Sequence, residues 1–116
     1  MKATPVNATA FSVSDTMLDP RTIPESYIFL RDVAVLPFAS ISEDPDRIAS
    51  SLTPAAPIAL VRNDCALVLG QNILDAFDRL EVLESTAEAV INSRALGEVK
   101  SMNDEGIEEL VKVFLS

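Results

Sequence analysis

The chain has no histidine, no tryptophan, one cysteine, one tyrosine and three glycines in 116 residues. Each shortage closes off chemistry. Without histidine there is no Ser-His-Asp triad, no Cys-His dyad and no imidazole metal ligand. A single Cys65 can build neither a zinc finger nor an internal disulfide, and as an unpaired thiol it agrees with a reducing compartment. Basic residues are scarce as well. Nine Lys and Arg against 18 Asp and Glu give a net charge of −9. A nucleic-acid surface needs clustered Lys and Arg to displace counterions, so no nucleic-acid partner is expected. Long apolar runs are also missing. The longest uncharged stretch, Ile48–Val61, is interrupted by Pro54 and Pro57 and is too short for a membrane span. Behind Met1-Lys2-Ala3-Thr4-Pro5 come polar Asn7, Thr9, Ser12 and Ser14, so no signal-peptide core is present and cytoplasmic residence is expected.

What remains is a 48% hydrophobic chain, long enough for one domain with a modest core, residues 1–116. Residues 6–13 read as a short helix or an irregular segment, since the alanines favour helix and Thr9 and Val13 do not. Asp19-Pro20 and Ile23-Pro24 mark a turn region, after which Pro24 can open a helical turn over Glu25 to Phe29. Asp32-Val-Ala-Val-Leu-Pro-Phe38 reads as a buried strand. Ser42-Glu43-Asp44-Pro45-Asp46 carries N-cap chemistry and first-turn acids, predicting a helix from about Glu43 to Leu52. Ile58–Val61 and Ala66–Leu69 form two adjacent strands around Arg62-Asn63-Asp64-Cys65, a tight turn.

The strongest element runs from Asn72 to Leu96. Ala76, Leu80, Leu83, Ala87 and Val90 recur at helical spacing, and Ile73, Phe77 and Ile91 widen the stripe. Gly97 stands as its C-cap. A final helix beginning at Asn103-Asp104-Glu105 is expected to bury Ile107, Leu110, Val111 and Phe114. Three convincing strands alternate with helices, which makes the class α/β.

The ordered series of segments resembles the class II aldolase and adducin head domain family. The resemblance rests on Ala59-Leu60-Val61-Arg62-Asn63-Asp64-Cys65-Ala66-Leu67-Val68-Leu69-Gly70, followed by a helix carrying Ala76-Phe77-Asp78-Arg79-Leu80-Glu81-Val82-Leu83-Glu84. Ile23-Pro24-Glu25, Val33–Phe38 and the tail from Leu96-Gly97 through Leu110 add to it. It extends over nearly the whole chain from about Pro5 and corresponds to the C-terminal half of the family domain. It implies a partial three-layer α/β domain, a small mixed sheet flanked by helices.

The resemblance also implies a site. Enzymes of this family bind zinc through two histidines of a His-x-His-Pro segment and a third in an Asn-His-Gly turn. An earlier Glu serves as acid/base while the metal stabilises an enediolate. The His-x-His-Pro segment falls on Lys2-Ala3-Thr4-Pro5, and the turn falls on Asn63-Asp64-Cys65. Lys2, Thr4 and Asp64 therefore stand at the zinc positions, and the Glu and phosphate-binding loops have no counterpart after Met1. No zinc or other cofactor and no catalytic residue are expected.

Several side chains admit two readings. Asp64 and Cys65 are weak candidate ligands, or else a turn Asp and a thiol acting as a small hydrophobe. Glu81, Glu84 and Glu88 offer acid/base carboxylates, or else a solvated helix face with Arg79 and Arg94 as partial partners, and the resemblance implies that Glu84 is partly buried against the sheet and pairs with an Arg. Lys2 could be a Schiff-base amine or simply a terminal lysine. Tyr27 and Arg31 could touch a small ligand or only pack.

A sheet this small leaves an exposed edge and bare helices. The expected partners are therefore a second copy, giving a homo-oligomer, or a chain supplying the missing half, with no membrane. Three functions follow. One is a catalytically inactive binding or structural module. Another is a subunit of a class II sugar-phosphate aldolase-like lyase completed by another chain. The third is a chain that folds without a selected function.

Overall fold

The alternation of residue types along the central strands decides how the layers stack. In a computed structural model, which describes residues 1–115, β1 (Lys2–Ala3), β2 (Ala34–Leu36), β3 (Ile58–Val61) and β4 (Cys65–Val68) form one sheet in the order β1-β4-β3-β2. β2 runs parallel to β3, with Val35 opposite Leu60, while β3–β4 and β1–β4 are antiparallel. The sheet is mixed, as expected. It has four strands among the described residues rather than three, because the two-residue β1 is too short to leave a periodic signal. Cys65, read as a turn residue, is the first residue of β4 and is fully buried.

Successive strand residues point to opposite faces. Ile58, Leu60, Ala66 and Val68 join one core cluster, whereas Ala59, Val61 and Cys65 join another. The first face is covered by α1 (Val6–Ser12), α2 (Pro24–Leu30) and α5 (Ile73–Ser93). The second lies under α3 (Ser40–Glu43) and α4 (Pro45–Ser51), which contribute half-buried Ile41 and Ile48. This is the three-layer α/β arrangement anticipated from the sequence. The tail is α6 (Asp104–Leu110) followed by a wide turn over Val111–Leu115. No described helix is long and apolar enough to cross a membrane.

Several boundaries differ from expectation for local reasons. The ambiguous 6–13 segment is helical through Ser12. The single helix expected over 43–52 is two helices, broken at Asp44 (φ −144°, ψ 62°). Asp44 precedes Pro45, whose ring excludes the α conformation there. Its side chain instead caps α4 by accepting from the Arg47 amide. α5 begins at Ile73, capped by Asn72, and ends at Ser93 rather than Leu96. The Leu96 and Gly97 amides still reach the Ser93 carbonyl, and Gly97 then turns out at φ 136°.

The apolar stripe of α5 is narrower than expected. Ala76, Leu83, Ala87 and Val90 are buried and Leu80 is half-buried, but Ile73, Phe77 and Ile91 are exposed. In the tail only Ile107 is buried, while Leu110 and Val111 are half-buried and Phe114 is exposed.

Gly70 is fixed by crowding. A Cβ there would lie 2.5 Å from the Ala76 nitrogen, where α5 begins its run along the sheet.

Candidate functional site

The β3–β4 hairpin positions the residues singled out in the sequence. Its three-residue tip is Arg62-Asn63-Asp64, with Asn63 in the left-handed region (φ 56°), a conformation Asn tolerates better than most residues. The tip is gripped from several directions. The Asp64 amide donates to the Val61 carbonyl (3.1 Å), the Asn63 amide to the Ser12 carbonyl (3.1 Å), and the Arg62 amide to the Leu36 carbonyl (2.9 Å). The Arg62 guanidinium also donates to the Ser14 carbonyl (3.1 Å). The end of α1 and the end of β2 thus converge on one turn.

β1 runs along the outer side of β4 with Lys2 opposite Leu67 and Ala3 opposite Ala66. Met1 extends this pairing, its ammonium donating to the Val68 carbonyl and its carbonyl accepting from the Val68 amide, both at 2.8 Å. The β1–β4 pairing ends at Ala3, one residue before Thr4. The structure brings Lys2, Asp64 and Cys65 to one place. Lys2 Nζ lies 4.0 Å from Asp64 Oδ1. The Lys2 side chain is 59% exposed and that of Asp64 30%, so the pair lies at the rim.

The three side chains differ in chemical availability. Cys65 is fully buried among Leu36, Ala59 and Val61. Burial pushes its thiol pKa up, the Asp64 carboxylate adds to that, and the Lys2 charge opposes it. A thiol held protonated is a poor ligand and a poor nucleophile. Lys2 is an ammonium facing a carboxylate, without the apolar enclosure that would free its lone pair. Asp64 has that ammonium as its neighbour.

This donor set does not fit Zn²⁺, which requires neutral imidazole, thiolate or carboxylate groups converging on one point. Among the described residues, no group of three or more His, Cys, Asp or Glu side chains is arranged to hold a metal ion.

The acidic helix face resolves into separate roles. Glu84 is half-buried, and its partners are the opening amides of α1 rather than an arginine. It accepts from the Asn7 amide (3.0 and 3.1 Å), the Ala8 amide (2.8 Å) and Asn7 Nδ2 (3.0 Å). Glu88 accepts a longer bond from Asn7 Nδ2 (3.4 Å), and Glu81 is exposed. The sequence signal for this was indirect. The N-cap of α1 is Pro5, which has no side-chain acceptor, so the free amides there require one from elsewhere.

Tyr27 is buried and packs under the Arg21 guanidinium (5.6 Å to the ring centre), and Arg31 is a half-buried residue with its backbone at φ 58°. The two form no shared contact site.

A cleft of about 650 Å³ opens between α2, α5 and residues 96–100, within the size range of small-molecule pockets. Ser26 and Thr86 hydrogen-bond to each other in its buried wall at 2.7 Å, and Glu25, Glu81, Glu98 and Lys100 surround it. It lies on the α5 side of the sheet, away from the Lys2–Asp64 pair.

Residues 3–91 match the model of the class II aldolase and adducin N-terminal domain. No curated protein sequence matches the chain. Among solved structures, an aldolase II superfamily protein from Pseudomonas syringae superposes with a TM-score of 0.76 at 20% identity, covering 97% of this chain and 47% of that one. L-fuculose 1-phosphate aldolase from Glaciozyma antarctica PI12 superposes with a TM-score of 0.72 at 22% identity, over 92% of this chain and 40% of the other. YgbL from Klebsiella pneumoniae gives 0.68 at 28% identity, over 90% and 53%. The chain spans about half the length of the solved relatives it matches.

Proposed function

Because this chain belongs to the class II aldolase and adducin N-terminal domain family, we propose that it serves as an oligomeric binding or structural module on the aldolase II scaffold, without aldol chemistry of its own. The observation that carries this reading is the Lys2–Asp64 contact of 4.0 Å. It lies where the family resemblance puts metal ligands, and it leaves neither a ligand set nor a free base. Cys65, the remaining candidate, is buried and held protonated. Its being an unpaired thiol supports a reducing, cytoplasmic setting.

Association is supported by surfaces that a lone domain leaves open. β2 and β1 each pair on one side only among the described residues. The first turns of α5 expose Ile73 (77%), Leu74 (66%) and Phe77 (47%). Unpaired strand edges and grouped apolar side chains favour association. Size-exclusion chromatography with light scattering at micromolar concentration tests this, with a dimer or larger species expected. A monomer throughout would overturn it. Measured cleavage of a sugar phosphate by the isolated chain with added Zn²⁺ would overturn the non-catalytic half of the proposal.

The match of this chain to about half the length of its solved relatives favours one second reading. In it, the chain is a subunit of a sugar-phosphate aldolase-like lyase, and another chain contributes the acid/base Glu. Native purification yielding a hetero-oligomer that cleaves a sugar phosphate would replace the first reading with this one.

A further inference from the structure

The cleft between α2, α5 and residues 96–100 combines two features that the packing of the fold does not require. The first is the hydroxyl pair in its wall. Ser26 (2% exposed) on α2 and Thr86 (3% exposed) on α5 meet at 2.7 Å. Two hydroxyls carry two hydrogens, and their mutual bond uses one. Neither has another partner among the described residues. Ser93, on the same helix as Thr86, returns its hydrogen to the Ala89 carbonyl one turn back, a bond that Thr86 does not make. One buried O–H in the cleft wall is therefore left without an acceptor, an unfavourable state unless something in the cleft accepts it. The second feature is charge. Glu25, Glu81 and Glu98 line the cleft with Lys100 as the one cation among its lining residues. All four are exposed, and none of the three carboxylates is in an ion pair with a described residue. The opening is thus negative. Half-buried Val82 and Val99 and exposed Leu96 supply apolar wall between the carboxylates and the hydroxyl pair.

We infer that this cleft binds a small organic cation that also carries an oxygen acceptor, with the ammonium among the three carboxylates, the oxygen accepting from the Ser26–Thr86 pair, and an apolar body against Val82, Leu96 and Val99. Each part answers something the site lacks. The hydroxyl pair needs an acceptor, and the carboxylates have no counter-ion in the protein. An anion would meet the carboxylates with like charge. A wholly apolar molecule would leave both the spare hydrogen and the carboxylates unanswered. The volume of about 650 Å³ suits a molecule of this kind. The inference rests on the reading of this chain as a binding module and deepens it by naming the class of ligand.

The experiment titrates the isotope-labelled full chain with four probes built on one phenyl ring and reads amide chemical shifts. Phenylethanolamine carries both the ammonium and the hydroxyl, phenethylamine the ammonium alone, phenylethylene glycol hydroxyls without charge, and mandelate a hydroxyl with a carboxylate. Phenylethanolamine is expected to bind tightest, with its shifts centred on α2, the middle of α5 and residues 96–100. Phenethylamine should bind about fivefold more weakly for want of one hydrogen bond, and the glycol about tenfold more weakly for want of charge, while mandelate gives no saturable shift. Glu81→Gln/Glu98→Gln, at two solvated positions, should lower the affinity for phenylethanolamine towards that for the glycol. Ser26→Ala/Thr86→Val, checked for folding by circular dichroism, should erase the difference between phenylethanolamine and phenethylamine. Mandelate or the glycol binding as tightly as phenylethanolamine, shifts centred elsewhere, or no saturable shift with any probe at millimolar concentration would overturn the site. So would unchanged affinity in the folded charge variant, which decides the matter even where the hydroxyl variant fails to fold. A monomeric chain, or sugar-phosphate cleavage with added Zn²⁺, would defeat the proposed function and leave the order of the probes intact. Failure of the probe series would leave the oligomer test untouched.

Discussion

The two faces of the sheet are covered to very different depths. On one, twelve buried side chains from three helices, two strands and the loop residue Leu18 form a continuous cluster around Leu83, Leu60 and Leu30. On the other, four buried residues, Leu36, Ala59, Val61 and Cys65, lie beneath two short helices that bury only Ser40. The deep face uses the long helix α5 as its lid and contributes most of the apolar burial. The shallow face carries the residues that resemblance connects with chemistry, and it exposes a rim where Lys2 and Asp64 meet. In this chain the face that holds Lys2 and Asp64 is distinct from the face that contributes most of the apolar burial.

Substitutions on each face test that division. The largest effect is expected from Leu83→Ala. Leu83 is completely buried in the deep cluster, and truncation leaves a cavity, with a loss of roughly 2–5 kcal/mol in urea or thermal unfolding. A loss under about 1 kcal/mol would mean that α5 is loosely seated and that the contrast between faces is weaker than drawn.

Glu84→Ala should rank second, at roughly 1–2 kcal/mol. It removes the acceptor for the Asn7 and Ala8 amides and leaves the start of α1 uncapped. Glu81→Ala, on the same helix but solvated, should be nearly neutral.

On the shallow face the test is pH. The folded state holds the Cys65 thiol above its ordinary pKa of 9.0. Its contribution is therefore fully present below that pH and is lost as pH rises towards the folded-state value, because only the unfolded chain ionises readily in between. Unfolding midpoints of the wild type should fall in the alkaline range more steeply than those of Cys65→Ala. Equal slopes would mean the thiol is not enclosed as described.

The smallest effect is expected from Lys2→Met. The Lys2–Asp64 pair lies at the rim at 4.0 Å, with Lys2 mostly exposed, and such pairs contribute about 0–1 kcal/mol. Salt titration should show whatever contribution exists shrinking with ionic strength.

How much of this was legible in the sequence varied with the range of the interaction. The Ala76–Val90 stripe and the Asn63-Asp64 turn follow from local chemistry and spacing, and both are present. Ile73 and Phe77 have the right spacing for the stripe but lie outside the arc that meets the sheet, and periodicity alone does not fix how wide that arc is. β1 was missed because two residues have no period and gain their structure from β4, more than sixty positions away. Of the site, the positions Lys2, Thr4 and Asp64 could be assigned from resemblance. The meeting of Lys2 and Asp64 as an ion pair beside a buried thiol depends on that long-range strand pairing.

The capping of α1 by Glu84 also bears on the order of assembly. Pro5 supplies no acceptor of its own, so the first amides of α1 wait for a carboxylate 76 and 77 positions later in the chain. β1 likewise waits for β4. In synthesis, which proceeds from the N-terminus, β1 precedes its partner β4, and the opening amides of α1 precede their acceptor Glu84. A nascent chain paused before Glu84 would therefore present those amides without their carboxylate.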